Sequence, residues 1–174
     1  MRVVDHFRHS IRSSPGKHLT REGVALARRV GDRLGDYDLV VTSKQPRAIE
    51  TAIAMGYASD RQIEDLFVTD EKIEWGASFA AFAETMRSSK RVAKAARKQA
   101  EIIHSIAAEL PQDGKALVVS HGGVIELGVV GLLPDFDYSS WGSACERCEG
   151  VRLRFDGETC VGAEVLRIGD LVPV

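Results

Sequence analysis

Four short apolar runs, at residues 2–7, 38–43, 62–70 and 115–123, constrain the fold most. Each is rich in Val, Ile, Leu or Phe and has the length of a buried strand. Segments of helical period separate them. Residues 18–35 place Val24, Ala27, Val30 and Leu34 on one helical face, with Thr20 as N-cap, Glu22 in the first turn and Gly35 at the C-terminal stop. Residues 45–56 start a second helix with Pro46 near its first turn. Residues 77–110 read as helical throughout, with Ser88-Ser89 as the place for a break into two helices. Residues 124–132 follow the fourth strand as another helix, and Pro134 marks a loop. Residues 150–168 read as a hairpin turning at Asp156-Gly157. Strands alternating with helices predict a single α/β domain over residues 1–174. The expected architecture is a three-layer sandwich: a mostly parallel central sheet flanked by helices, with an edge hairpin near the C-terminus.

Composition narrows the function classes. The chain has 174 residues, 44% hydrophobic and 28% charged, as expected of a folded globular protein. A net charge of −2 argues against general nucleic-acid binding. No apolar run reaches the roughly 18 residues needed to cross a bilayer. The charged N-terminus lacks the apolar core of a signal peptide, so none is expected. Three cysteines, Cys145, Cys148 and Cys160, make no disulfide framework, and the expected setting is reducing and cytoplasmic.

Three of the predicted strands end alike. Arg8 and His9 follow the first; Thr42, Ser43 and then Arg47 follow the second; Ser120, His121, Gly122 and Gly123 follow the fourth. Ligands bind outside the carboxyl ends of strands in open α/β sheets. If these strands are parallel neighbours, two arginines and two histidines meet. Guanidinium forks match phosphate oxygens two at a time. The glycine pair would let backbone amides approach an anion at a helix start. No carboxylate stands at these ends, so a His-carboxylate metal site is not the natural reading. A neutral imidazole can attack phosphorus, and two nearby arginines would keep His9 neutral.

These residues carry a resemblance. Arg8-His9-Ser10 is similar to the Arg-His-Gly signature of the histidine phosphatase superfamily, the phosphoglycerate mutase-like proteins. Three further segments match in order: "HLTREGVALARRVGDRL", "VVTSKQPRAIETA" and "ALVVSHGGVI". The resemblance implies that His9 is the nucleophile that becomes phosphohistidine. It implies that Arg8, Arg47 and His121 bind the phosphoryl group, with Ser43 and the Gly122 backbone close by. Water would hydrolyse the phosphoenzyme, and neither a metal nor a cofactor would be needed. The substrate would be a phosphorylated small molecule or a phosphoprotein, with no nucleic-acid or membrane partner. The alternatives are a mutase and a phosphate-binding regulatory module.

Two positions depart from the pattern. Ser10 replaces the usual glycine, and its hydroxyl could reach the phosphate. Many members carry a general-acid Glu four residues before a glycine; with Gly76 as that glycine, the position holds Lys72. Glu71 is the preferred acid, with Asp70 and Glu74 as alternatives and absence of an acid as a third. His6, His18 and His104 read as structural, although the loop after His9 could bring Arg12 or Ser13 to phosphate. Cys145-x-x-Cys148, even with Cys160, lacks a fourth metal ligand. Basic residues at 90, 91, 94, 97 and 98 oppose a stripe of Val92, Ala95, Ile102, Ile106 and Leu110, giving a solvated helix face or a rim attracting acidic partners.

Overall fold

A computed structural model describes residues 1–68, 70 and 75–172. The strands are β1 (Arg2–Arg8), β2 (Leu39–Ser43), β3 (Arg61–Ile63), β4 (Lys115–Ser120), β5 (Gly150–Asp156) and β6 (Thr159–Leu166). The helices are α1 (Arg21–Gly31), α2 (Pro46–Ala54), α3 (Phe79–Ser88), α4 (Lys90–Glu109), α5 (Val124–Leu132) and the single turn α6 (Ile168–Leu171). One sheet of order β3-β2-β4-β1-β5-β6 forms the middle layer. The first four strands in that order are mutually parallel, while β5 runs antiparallel to β1 and β6 to β5. The expected three-layer α/β sandwich with its edge hairpin is therefore present.

Side-chain alternation along the strands feeds two cores. On one face Val4, Val41 and Val118 pack with residues of α3, α4 and α5, among them Phe82, Ile103 and Leu127. On the other, Phe7, Val40, Leu117 and Val119 pack against Ala27 and Val30 of α1 and Ala48 and Ala52 of α2. β1 lies between β4 and β5, with a paired strand on each side.

Several local expectations hold and others shift. Thr20 caps α1, its hydroxyl accepting the Gly23 amide at 3.0 Å. Ser89 separates α3 from α4, its hydroxyl accepting the Val92 amide. α1 ends at Gly31, four residues before Gly35, and buries Gly23, Ala27, Val30 and Gly31 while Val24 is exposed. Close backbone approach selects those glycines: a Cβ on Gly31 would sit 2.1 Å from the Met55 carbonyl oxygen. The third strand is only three residues long, not nine. β2 offers it three paired positions and ends at Ser43. The chain then folds into a 3-10 turn, Glu64–Leu66, which buries Leu66 and holds its Asp65 carbonyl to the Gln99 side chain at 2.8 Å. On α4 the buried stripe runs through Val92, Ala96, Ala100, Ile103 and Ile106, leaving Ala95 and Ile102 only half-buried. Its basic face pairs Arg91 with Asp70 and Lys98 with Asp65.

Candidate functional site

The carboxyl ends of β1, β4 and β2 lie side by side, and a cleft of about 260 Å³ opens above them. Arg8, His9, Arg12, Arg47, His121, Gly122 and Arg147 line it, with Phe67, Val68, Trp75 and Val124 as apolar wall. The gathering expected of Arg8, His9, Arg47 and His121 is thus present. Among the described lining residues there is no carboxylate.

Backbone pairing fixes His9 from two sides. Its amide donates to the Ser120 carbonyl of β4 at 2.9 Å, and the preceding Arg8 amide donates to Glu149 at 2.8 Å. The His9 ring then donates from Nδ1 to the Ser10 carbonyl at 2.7 Å. A carbonyl oxygen can only accept, so the proton sits on Nδ1 and Nε2 carries a lone pair. Arg47 Nε donates to that nitrogen at 3.2 Å and Arg147 Nη1 at 3.1 Å. Burial, together with the charges of Arg147, Arg47 and Arg8, pushes the His9 pKa down to about 3. His9 is a neutral base at ordinary pH.

His121 meets His9 edge to face, with ring centroids 5.1 Å apart. Its Nε2 lies 2.7 Å from Ser43 Oγ, which also accepts the Gln45 amide at 3.3 Å. Ser43 can therefore direct its own proton to Nε2, leaving the His121 proton on Nδ1. That Nδ1 and the Arg8 Nε are buried without hydrogen-bond partners among the described residues. Burial, then His9 and the nearby arginines, push the His121 pKa down to about 2. Phe67 packs against the His121 ring at 4.8 Å and lies under the Arg47 guanidinium at 5.5 Å.

A Cβ on Gly122 would lie 2.8 Å from Arg8 Cζ, so glycine makes room for the guanidinium. Gly123 adopts a left-handed φ of 84° and donates its amide to the buried Glu126 carboxylate at 2.6 Å. Arg8 in turn donates from Nη1 to the Cys145 carbonyl at 2.6 Å.

Other residues fall outside the cleft. The Ser10 hydroxyl donates to the Gly23 carbonyl of α1 at 2.6 Å, so it anchors a helix and does not turn to the cleft. His6 is buried against Ser120 at 2.6 Å, and burial pushes its pKa down to about 3. His18 pairs with Glu50 at the surface, and His104 bonds the Glu158 carbonyl at 2.8 Å. Of the loop after His9, Arg12 reaches the cleft rim and bonds the Ser13 and Gly16 carbonyls, at 3.2 and 3.0 Å. Asp70 pairs with Arg91 at 2.9 Å and lines a neighbouring cavity beside α4. Glu71 and Glu74 lie outside the described residues. Cys145 and Cys148 pack into the cores on opposite faces of the sheet, and burial raises both thiol pKa values, Cys148 to about 11. No group of three His, Cys, Asp or Glu side chains among the described residues is placed to hold a metal ion.

Sequence reasoning missed Arg147 and Glu126. The signal for Arg147 was topological: β5 runs antiparallel to β1, so the loop leading into it arrives at the end of β1 where His9 sits.

No family model matches the chain, and no curated protein sequence matches it. Solved structures do. A phosphoserine phosphatase from Entamoeba histolytica, in complex with 3-phosphoglyceric acid, superposes with a TM-score of 0.65 at 19% identity, covering 89% of this chain and 91% of that one. A mycobacterial glucosyl-3-phosphoglycerate phosphatase gives a TM-score of 0.64 at 16% identity, over 95% and 98%. A phosphoglycerate mutase from Bacillus anthracis gives 0.65 at 16%, over 97% and 93%. These neighbours are of the histidine phosphatase superfamily. The chain has their fold.

Proposed function

We propose that this protein is a phosphatase that hydrolyses phosphomonoesters through a phosphohistidine on His9. The observation that carries the reading is the His9 ring, whose Nδ1 is committed to the Ser10 carbonyl while Nε2 faces two guanidinium groups. The fold shared with phosphatases and a mutase supports it.

In the first step the Nε2 lone pair forms a bond to phosphorus. The bond from phosphorus to the ester oxygen breaks, and its electron pair leaves on that oxygen, which takes a proton. Arg8, Arg47 and His121 bind the phosphoryl oxygens and offset their charge, in a site already set for it. Ser43 orients His121, and Gly122 gives Arg8 its space. In the second step a water oxygen bonds to phosphorus and the electron pair of the N–P bond returns to Nε2, releasing phosphate. Glu71 is the proposed acid for the leaving oxygen and base for the water; Val68 and Trp75, which flank that segment in sequence, both line the cleft. Side chains supply the positive charge, so the steps use no metal or other cofactor.

The whole chain acts as one domain on a phosphorylated small molecule or a phosphoprotein. Three free thiols suit a reducing, cytoplasmic setting, and no described helix is long and apolar enough to cross a membrane. The test is phosphate release from a panel of phosphoesters, with acid-labile phosphoprotein trapped in a rapid quench. Release that His9→Ala abolishes is expected. Exchange of phosphate within a substrate without release indicates a mutase instead, and phosphate binding without turnover of any ester indicates a regulatory module.

A further inference from the structure

We propose that Arg147 is a further catalytic residue, binding the phosphoryl group as it transfers to His9. The inference rests on the phosphatase reading above and adds a contact from the C-terminal third of the chain.

Arg147 Nη1 and Arg47 Nε both donate to His9 Nε2, at 3.1 and 3.2 Å. That nitrogen has a single lone pair, so two cationic donors share one acceptor. The arrangement fits a neutral imidazole poorly and an anion well. A phosphoryl group bonded to Nε2 places separate oxygens where the two forks now compete for one atom. Among the described residues the Arg147 side chain bonds to His9 and to no carboxylate. It is a cation held against other cations: burial, then the charges of Arg8 and Arg12, lower its pKa.

The loop that carries it is built, not loose. On the inner side, Cys145 donates its amide to Glu126 at 2.6 Å and offers its carbonyl to Arg8. Cys148, at a left-handed φ of 58°, donates its amide to the Arg8 carbonyl at 3.2 Å. On the outer side, Arg167 pairs with Glu149 at 2.7 Å and donates to the Trp141 carbonyl, also at 2.7 Å. Arg147 is thus fixed between anchored neighbours, one of them in a backbone region that non-glycine residues rarely adopt. Strain of this kind persists where the surroundings over-determine it. The same residue that carries the nucleophile's partner charge, Arg8, bonds both flanks of the loop, so the two guanidiniums are placed as one unit.

The experiment measures binding of inorganic phosphate and orthovanadate by calorimetry, and single-turnover formation of phosphohistidine, in wild type, Arg147→Ala, Arg147→Lys and Arg47→Ala. Arg29→Ala, on the exposed face of α1, is the charge control. Arg147→Ala is expected to weaken anion binding at least tenfold and slow phosphohistidine formation at least a hundredfold, with Arg29→Ala unchanged. Arg147→Lys keeps the charge and most of the stem, and should fall between wild type and alanine. Anion affinity and phosphorylation rate equal to wild type in Arg147→Ala, with Arg47→Ala impaired, overturn the role of Arg147 and leave the phosphatase reading intact. Wild type that neither binds the anions nor forms phosphohistidine overturns both.

Discussion

The carboxylate of Glu126 accepts the amide of Cys145, 19 residues along the chain, at 2.6 Å. Its second oxygen accepts the Gly123 amide at the same distance. One buried side chain therefore ties the start of α5, beside His121, to the loop holding Arg147. Burial pushes this carboxyl pKa up, against the amides of Cys145, Glu126 itself and Gly123 and the charge of Arg8, which favour the charged form. Glu126→Ala leaves two buried amides unpaired and is expected to destabilise the fold by about 2–5 kcal/mol. Urea denaturation reads the loss; Glu126→Gln, which keeps one acceptor oxygen, should fall between.

Gly122 makes room for Arg8, so a methyl group there moves the guanidinium before it moves the backbone. Gly122→Ala is expected to lower kcat/KM on the best ester by roughly 100-fold, as for a displacement of about 1 Å at a reacting centre. The urea midpoint should change little.

Alanine normally improves a helix over glycine by about 1 kcal/mol. Gly31→Ala should do the opposite, destabilising by about 1–3 kcal/mol, because its methyl group overpacks against the Met55 carbonyl. A lowered urea midpoint is the expected result, and a raised one would mean that α1 and the end of α2 part easily.

His6, His9 and His121 have pKa values lowered to about 3, 3 and 2. In the unfolded chain they titrate near the usual value of about 6.5. From about pH 6.5 down to about 3 the unfolded state therefore holds more protons, and stability falls as pH falls. The urea midpoint should decline steadily from pH 7 to pH 4. Nitrogen-15 spectra should still show His9 neutral, protonated on Nδ1, at pH 5. The acid limb of kcat/KM should carry no ionisation of His9 near 6.5.

Glu71→Gln tests the proposed acid. Poor leaving groups, such as alkyl phosphates, should slow by about 100-fold, while activated aryl phosphates barely change. Equal slowing of both removes Glu71 from the mechanism and turns the comparison to Glu74.

The sequence exposed the parts of this fold governed by local periodicity and strand-end chemistry. Short apolar runs marked β1, β2 and β4, and the residues just past them mark the cleft, because a strand end fixes where its next side chain goes. Thr20 was legible as a cap because a hydroxyl there has one main local use, and Ser88-Ser89 was legible as a break between two helices. What stayed hidden was long-range. The third strand looked nine residues long because its apolar content resembles a strand, but only pairing partners decide where a strand stops, and β2 supplies three. Ser10 looked free to face phosphate until α1 packed its Gly23 carbonyl over it. Arg147 sat between two cysteines that drew attention to metal, while its role depends on which strand β5 adopts as neighbour.

The central placement of β1 has a consequence for biosynthesis. Its two neighbours come from residues 115–120 and 150–156, so β1 is synthesised long before either strand that encloses it. Until β5 has been made, His9 stands at the end of a strand that lacks one of its two partners. A chain cut after α5 lacks both Arg147 and the strand that closes β1 on that side. The cleft is completed only when β5 returns to β1 and brings Arg147 with it.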